Sequence, residues 1–384
     1  MSDEQGGPNT TVALVVASTI ASVFPAFLVG AQAPRIMNDL GLTPADLGLA
    51  VGFFTVGLAT ASLFAGGVLD RWHVGTGALS GGVCGVCAGL VVATAHTLPV
   101  LLLGLFVGGL GSSVHQMSVG RLLGSIVVGS NYGRAFGWFQ SAKPLAVAAS
   151  GAVGALTLTA VSWRMSFVLV GVAGFCLSFA LSRRCPRGVR RRPRPEEGPS
   201  PAVILVLGVF MAFSYGMTNV STTFLVVTVV AIDVAASWGA VLLIVGGLLS
   251  AASRVLVGSF ADSPRVSETV LIGSLFVLAG LGSWLASVPS LAAIIVGVIL
   301  IFGCGWSSGS LLMAMATRMY KDHSRAVMAR LLIGGAVGGS VAPPLFGLLS
   351  GSQGYSLSWS AWGVVMLFTG LLFLFWTRKH GELR

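Results

Sequence analysis

Acidic residues are scarce in this chain: 12 aspartates and glutamates stand among 384 residues. None lies in the middle of a hydrophobic run; all fall in tails, loops or run ends. Charged residues of both signs make up only 9%, where soluble domains carry roughly 25%, so the chain is not built for water. There is no phosphate-cradling glycine loop, no metal-ligand cluster and no nucleophile–base pattern. Enzymatic activity and a cofactor are therefore not expected. Cysteines are few as well. Cys84 and Cys87 form a C-x-x-C within an apolar run, with no second pair nearby, and read as small packing residues.

What the chain does have is apolar length. Runs of about 20 apolar residues cross a bilayer as helices, and twelve occur here: 12–33, 46–68, 76–94, 98–118, 135–159 and 164–182, then 202–231, 236–257, 268–287, 291–314, 326–349 and 358–377. The expectation is an all-α membrane protein with twelve transmembrane helices. The first run is too long for a signal peptide and lacks a basic flank before it, so it reads as a retained membrane helix.

With both termini on one side, that side holds every loop lysine and arginine except Arg35 and Arg164. The positive-inside bias makes it the cytoplasm. Much of the net charge of +10 sits in SRRCPRGVRRRPRP (182–195), a basic linker facing anionic lipid. The linker carries no base-stacking aromatics, so nucleic acid is not expected as a partner.

The two halves repeat. GGVLD (66–70) answers GSFAD (258–262) at a shift of 192, and GGLGSS (108–113) answers GCGWSS (303–308) at 195. Arg134 in GRAFG answers Arg325 in SRAVM at 191. The halves therefore form two pseudo-symmetric six-helix bundles, 1–182 and 201–384, joined by 183–200, around a site near the midplane.

On these motifs the chain resembles the major facilitator superfamily over essentially its whole length. The superfamily's G-x-x-x-D-R-x-G-R-[RK] loop is matched by Gly66, Asp70 and Arg71, while its later glycine and basic pair are missing. The resemblance implies a cytoplasmic latch. Gly66 and Gly258 would let helices approach closely, and Asp70 and Asp262 would pair with basic groups such as Arg134 and Arg325. Ordinary topology-setting loop charges are the other reading. An R-x-x-x-G pattern found in proton-antiport drug exporters is absent, with Leu105 ahead of Gly109.

Ionisable groups within membrane helices are functional candidates by default. Here they are all basic: Lys143, Arg254, Arg330 and His115. Buried cations need partners, and no intramembrane carboxylate is available. Either main-chain carbonyls and cavity water suffice, or an anionic substrate is the partner. An arginine ahead of the GSFAD motif is similar to that of the oxalate–formate antiporter and monocarboxylate transporter branches, where it contacts the substrate carboxylate, and occurs in cyanate-permease-like relatives. That resemblance implies substrate contact for Arg254; snorkelling to the interface is the alternative.

Lys143, with Gln140 on the same helical face, is a second substrate-binding candidate, against a structural role. Arg330 reads as interfacial. His115 titrates near neutrality and is the proton-coupling candidate, a satisfied structural histidine being the alternative. Tyr215 and Asn219, one turn apart, add neutral hydrogen bonds. The leading function is a monomeric secondary transporter of a small organic anion, with protons as a candidate coupling ion. Drug or metabolite efflux by proton antiport is the alternative, and a non-transporting sensor a third.

Overall fold

The computed structural model describes residues 8–126, 137–160, 162–185, 201–261, 266–320 and 324–379. Apolar runs have no water to satisfy their backbone inside a bilayer, so they satisfy it internally as helices. The first half holds α1 (Pro8–Ala31), α2 (Ala33–Leu40), α3 (Pro44–Arg71), α4 (Val74–Ala93), α5 (Leu98–Ile126), α6 (Ala142–Ala160) and α7 (Trp163–Ser182). The second half holds α8 (Pro201–Val230), α9 (Ala236–Ala261), α10 (Glu268–Ala286), α11 (Leu291–Leu300), α12 (Trp306–Met319) and α13 (Ser324–Lys379). Ten described helices are long and apolar enough to cross a membrane. One of them, Val327–Arg378, holds two spans, and Ala142–Leu156 is a shorter apolar segment.

Local chemistry sets the turns. Gly41, at φ 62, ends α2 in the left-handed conformation. Thr43 and Asp46 then form a capping box for α3: the Thr43 N–H donates to Asp46 Oδ2 at 2.9 Å, and the Asp46 N–H donates to Thr43 Oγ1 at 3.3 Å. Two elements differ from the hydropathy reading. No loop separates the last two spans; α13 runs through them and breaks only at Gly354 (φ 83, ψ 164), a conformation open essentially to glycine alone. The tenth span is α11 and α12 joined by a π turn at Ile301–Gly305.

That π turn explains an oddity in the repeat. In the first half, Ser112 bonds Ser22 of α1 (3.5 Å) and Ser113 bonds Ser62 of α3 (2.8 Å). In the second half the roles exchange: Ser307 bonds Ser253 of α9 (2.8 Å) and Ser308 bonds Ser214 of α8 (2.9 Å). A π turn inserts one residue and rotates the remainder of the helix by about 100°. Each serine pair still staples its helix to the first two spans of its own bundle.

The spans gather into two bundles, one per half. Between them, α3 packs on the first half of α13 and α6 packs on α9, with α1 and α2 also meeting α8. Alternation of the spans puts the start of α1 and the end of α13 at one end of the molecule, and the other end is the distal one. Close backbone approach marks the seam on the distal side. A Cβ on Gly30 would come within 1.9 Å of the Thr222 carbonyl oxygen, one on Gly48 within 2.3 Å of that of Pro343, and one on Gly347 within 2.2 Å of that of Pro44. Small residues allow such crossings. Toward the termini, a Cβ on Gly258 would meet nothing within 4 Å among the described residues.

Candidate functional site

The entrance to α6 carries a proline three residues in. Pro144 has no N–H, so the carbonyl four residues earlier, that of Gln140, loses its helical donor. Arg254 of α9 fills the gap across the bundle interface, with Nη1 donating to the Gln140 oxygen at 2.7 Å. The guanidinium thus faces the other bundle rather than running to the membrane surface. Its Nε is buried and has no acceptor among the described residues.

One position before Pro144, the Lys143 ammonium lies 5.1 Å from the centroid of the Tyr215 ring on α8. A cation over an aromatic face is held by the ring quadrupole, at about 0.5–2 kcal/mol. The ring is itself fixed against α13, where a Cβ on Gly335 would come within 3.0 Å of it. One turn further along α8, Asn219 Nδ2 donates to Thr55 Oγ1 of α3 (3.1 Å) and to the Gly339 carbonyl of α13 (2.9 Å).

Lys143, Gln140, Arg254 and Tyr215 therefore gather where α6, α8 and α9 come together, and Asn219 lies one turn further along α8, between α3 and α13. Gln140 enters through its main chain, whereas the sequence pointed to its amide. Along α6, Pro144, Ala148 and Gly151 meet α9, at Gly247 and Ala240.

His115 stands elsewhere. It is fully buried inside the first bundle, with Nε2 3.1 Å from Ser18 Oγ, Nδ1 3.2 Å from the Ala78 carbonyl and Ser178 Oγ 3.4 Å from Nδ1. A cavity of about 20 Å3 beside it has room for one water. Arg330 is exposed on α13, and Arg71 is exposed at the end of α3. Of the other latch residues, Arg134 and Asp262 lie outside the described residues, as do the side chains of Asp70 and Arg325; Gly66 is described only as part of α3.

The sequence reading missed an aromatic contact distal to the cations. Trp306 and Phe27, on opposite bundles, have ring centroids 6.2 Å apart. Trp306 Nε1 donates to Ser221 at 3.2 Å, six residues beyond Tyr215 on α8, or about 9 Å along the helix. The signal was present: in the repeat Trp306 stands where the first half has Gly111.

Comparison with known proteins decides the family. The Major Facilitator Superfamily model matches residues 14–320. The chain belongs to the Major Facilitator Superfamily. Membership places it among transporters rather than enzymes. Relatives include the multidrug resistance protein MdtL of Klebsiella pneumoniae, 41% identical over 86 residues, which is 22% of this chain and 21% of that protein. MdtL of Salmonella dublin is 25% identical over 217 residues, 55% of this chain and 54% of the relative.

These matches thus span between a fifth and about half of the relatives' length. Among solved structures, a bacterial homolog of the human lysosomal transporter Spinster, inward-facing and unoccupied, aligns with a TM-score of 0.75 at 15% identity, covering 100% of this chain and 99% of that one. The human organic anion transporter MFSD10 aligns with a TM-score of 0.66 at 13% identity, over 96% and 100%. At these identities the likeness concerns the fold.

Proposed function

We propose that this superfamily member is a secondary transporter that moves a small organic anion, a carboxylate, across the bacterial inner membrane by alternating access. The observation that carries the reading is that Arg254 and Lys143 both stand at the bundle interface with, among the described residues, neutral partners, a carbonyl and an aromatic ring. An arginine offers a carboxylate paired hydrogen bonds. An acid-free site is a poor host for a cationic solute. Both termini are cytoplasmic in this reading, from the arginine-rich loops on that side. The seam closed by Gly30, Gly48 and Gly347 is then the outer gate.

The bundles 1–182 and 201–384 rock about the site, joined by 183–200. The Gly66, Asp70, Arg71, Arg134, Gly258, Asp262 and Arg325 latch closes the inner side in the opposite state. Coupling to protons and a monomeric carrier belong to the same proposal.

The test is counterflow of labelled carboxylates in proteoliposomes. A Lys143→Ala, Arg254→Ala double variant is expected to lose uptake by about 100-fold or more, the scale of two charge-assisted hydrogen bonds. Uptake unchanged in that variant overturns the anion site.

The similarity to MdtL favours a second reading, export of drugs. It predicts drug hypersensitivity in a deletion strain and flux that does not depend on the charge of Lys143 and Arg254.

A further inference from the structure

The two cations of the interface differ from ordinary buried charges in what surrounds them. The Gln140 carbonyl and the Tyr215 ring stabilise a cation without neutralising it. The helices that build the site, α6, α8, α9 and α13, together with α1 beside them, contain no aspartate or glutamate at all. Among the described residues two half-buried positive charges thus stand with no counter-charge, and a charge held away from water is costly until an opposite one arrives. A monoanion would neutralise one and leave the other.

Placement adds a length. Arg254 belongs to the second bundle and Lys143 to the first. The Gln140 oxygen that holds Arg254 lies three residues before Lys143, about 5 Å along the helix. Each cation also has open donor capacity among the described residues: Nε of Arg254 has no acceptor, and the Lys143 ammonium is held only by the ring face. Arginine favours a carboxylate edge, while lysine, a point charge, takes any second oxygen.

We propose that the ligand of this site is a compact dianion, with one anionic group on Arg254 and the other on Lys143, so that a single molecule ties the two bundles together. The inference rests on the anion reading above and narrows it. A short dicarboxylate and a phosphate monoester share this chemistry. Bridging also supplies what alternating access requires, a ligand that binds differently as the bundles change their separation.

The experiment compares succinate, its monoamide succinamate and methyl phosphate at pH 7.5, by thermal shift of purified protein and by counterflow in proteoliposomes. The dianions are expected to bind at least about tenfold more tightly than succinamate, the scale of one added charge-assisted hydrogen bond. Lys143→Gln is expected to collapse that ratio toward one, and Lys143→Arg to restore it, whereas a merely structural lysine would scale all three ligands together. Tighter binding of either dianion supports the proposal, and their order tells dicarboxylate from phosphate ester.

Succinamate binding to the wild-type protein as tightly as both dianions overturns it, as does a ratio that survives Lys143→Gln. The wild-type comparison is decisive even if the variant does not fold. Binding of neutral or cationic drugs with no response to any anion removes the anion reading itself.

Discussion

The guanidinium of Arg254 is hydrogen-bonded, at 2.7 Å, to the carbonyl of Gln140 that Pro144 leaves without a helical donor. A proline in the first bundle thereby creates an acceptor for a cation in the second. The bond ties the bundles together, and under the anion reading proposed above it would compete with the ligand. Pro144→Ala supplies an N–H to the same oxygen. The carbonyl keeps its second lone pair, so the bridge weakens without vanishing. Apparent affinity for a carboxylate is expected to rise roughly three- to tenfold, a fraction of a charged hydrogen bond, as read by thermal shift. Affinity that stays level or falls would show that the bridge does not compete.

The distal seam makes a conformational prediction. A methyl on Gly30 or Gly48 would meet the backbone of Thr222 or Pro343 within 1.9 and 2.3 Å, and backbone cannot rotate away. Overpacking of this kind costs typically 1–3 kcal/mol, and it is felt only where the bundles touch at that end. Gly30→Ala and Gly48→Ala are therefore expected to shift the population toward the distal-open state. Spin labels placed at the start of α3 and beside the Gly354 bend of α13 should report longer distances. Unchanged distances would mean that the seam yields by local adjustment.

The sequence made the fold legible because hydropathy acts on long segments. Twelve runs, two bundles and their pairing follow from apolar length and from three motif repeats. What escaped was set by single residues. The missing loop at Gly354 and the π turn at Ile301–Gly305 alter backbone geometry without altering hydropathy. At the site, Lys143 and Arg254 stood out as charges against an apolar background. The Gln140 carbonyl did not, because its availability depends on Pro144, four residues further on, which has no N–H to give it. His115 stood out equally well, yet its partners Ser18, Ala78 and Ser178 come from distant parts of the chain.

At the distal surface, Asp39 of α2 accepts hydrogen bonds from Trp163 Nε1 (2.8 Å) and from Arg164. Arg164 also donates to the Ala95 carbonyl (2.8 Å). The indole N–H first, and then the guanidinium, hold the Asp39 carboxyl below the usual carboxylate range. A depressed folded-state value gives stability that is fully present above the unfolded value of about 4 and lost as pH falls from there through the lower folded value. The pair is partly exposed, so its worth is about 1 kcal/mol or less. Asp39→Asn should melt slightly lower than wild type at pH 7, and the difference should shrink as pH falls below about 4. A constant difference across that range would remove the assignment.

Gly354 is the hinge between the last two spans. Its φ of 83 and ψ of 164 lie where a side chain is strained whatever the free space, and no atom lies within 4 Å of its Cβ position among the described residues. Gly354→Ala is therefore a test of conformation alone, uncomplicated by clash. The expected loss is about 1–3 kcal/mol, seen as a lower melting temperature in detergent. Full stability in the variant would show that the chain turns by another route.

His115 separates a structural role from a proton-coupling one. Its ring joins α5 to Ser18 of α1, the Ala78 carbonyl of α4 and Ser178 of α7, so three neighbouring helices converge on one side chain. Its place inside the first bundle, apart from the Lys143 and Arg254 cluster, favours the structural role. His115→Gln keeps some hydrogen-bonding capacity but cannot reproduce all three contacts, and each buried group left without a partner costs about 1–3 kcal/mol. The expected result is a clear fall in thermal stability, with the pH profile of anion counterflow in the folded fraction unchanged. The reverse pattern, stability retained and the pH dependence flattened, would instead make His115 the proton carrier. In that case the cavity of about 20 Å3 beside it would be the first place to look for the water that connects it to the site.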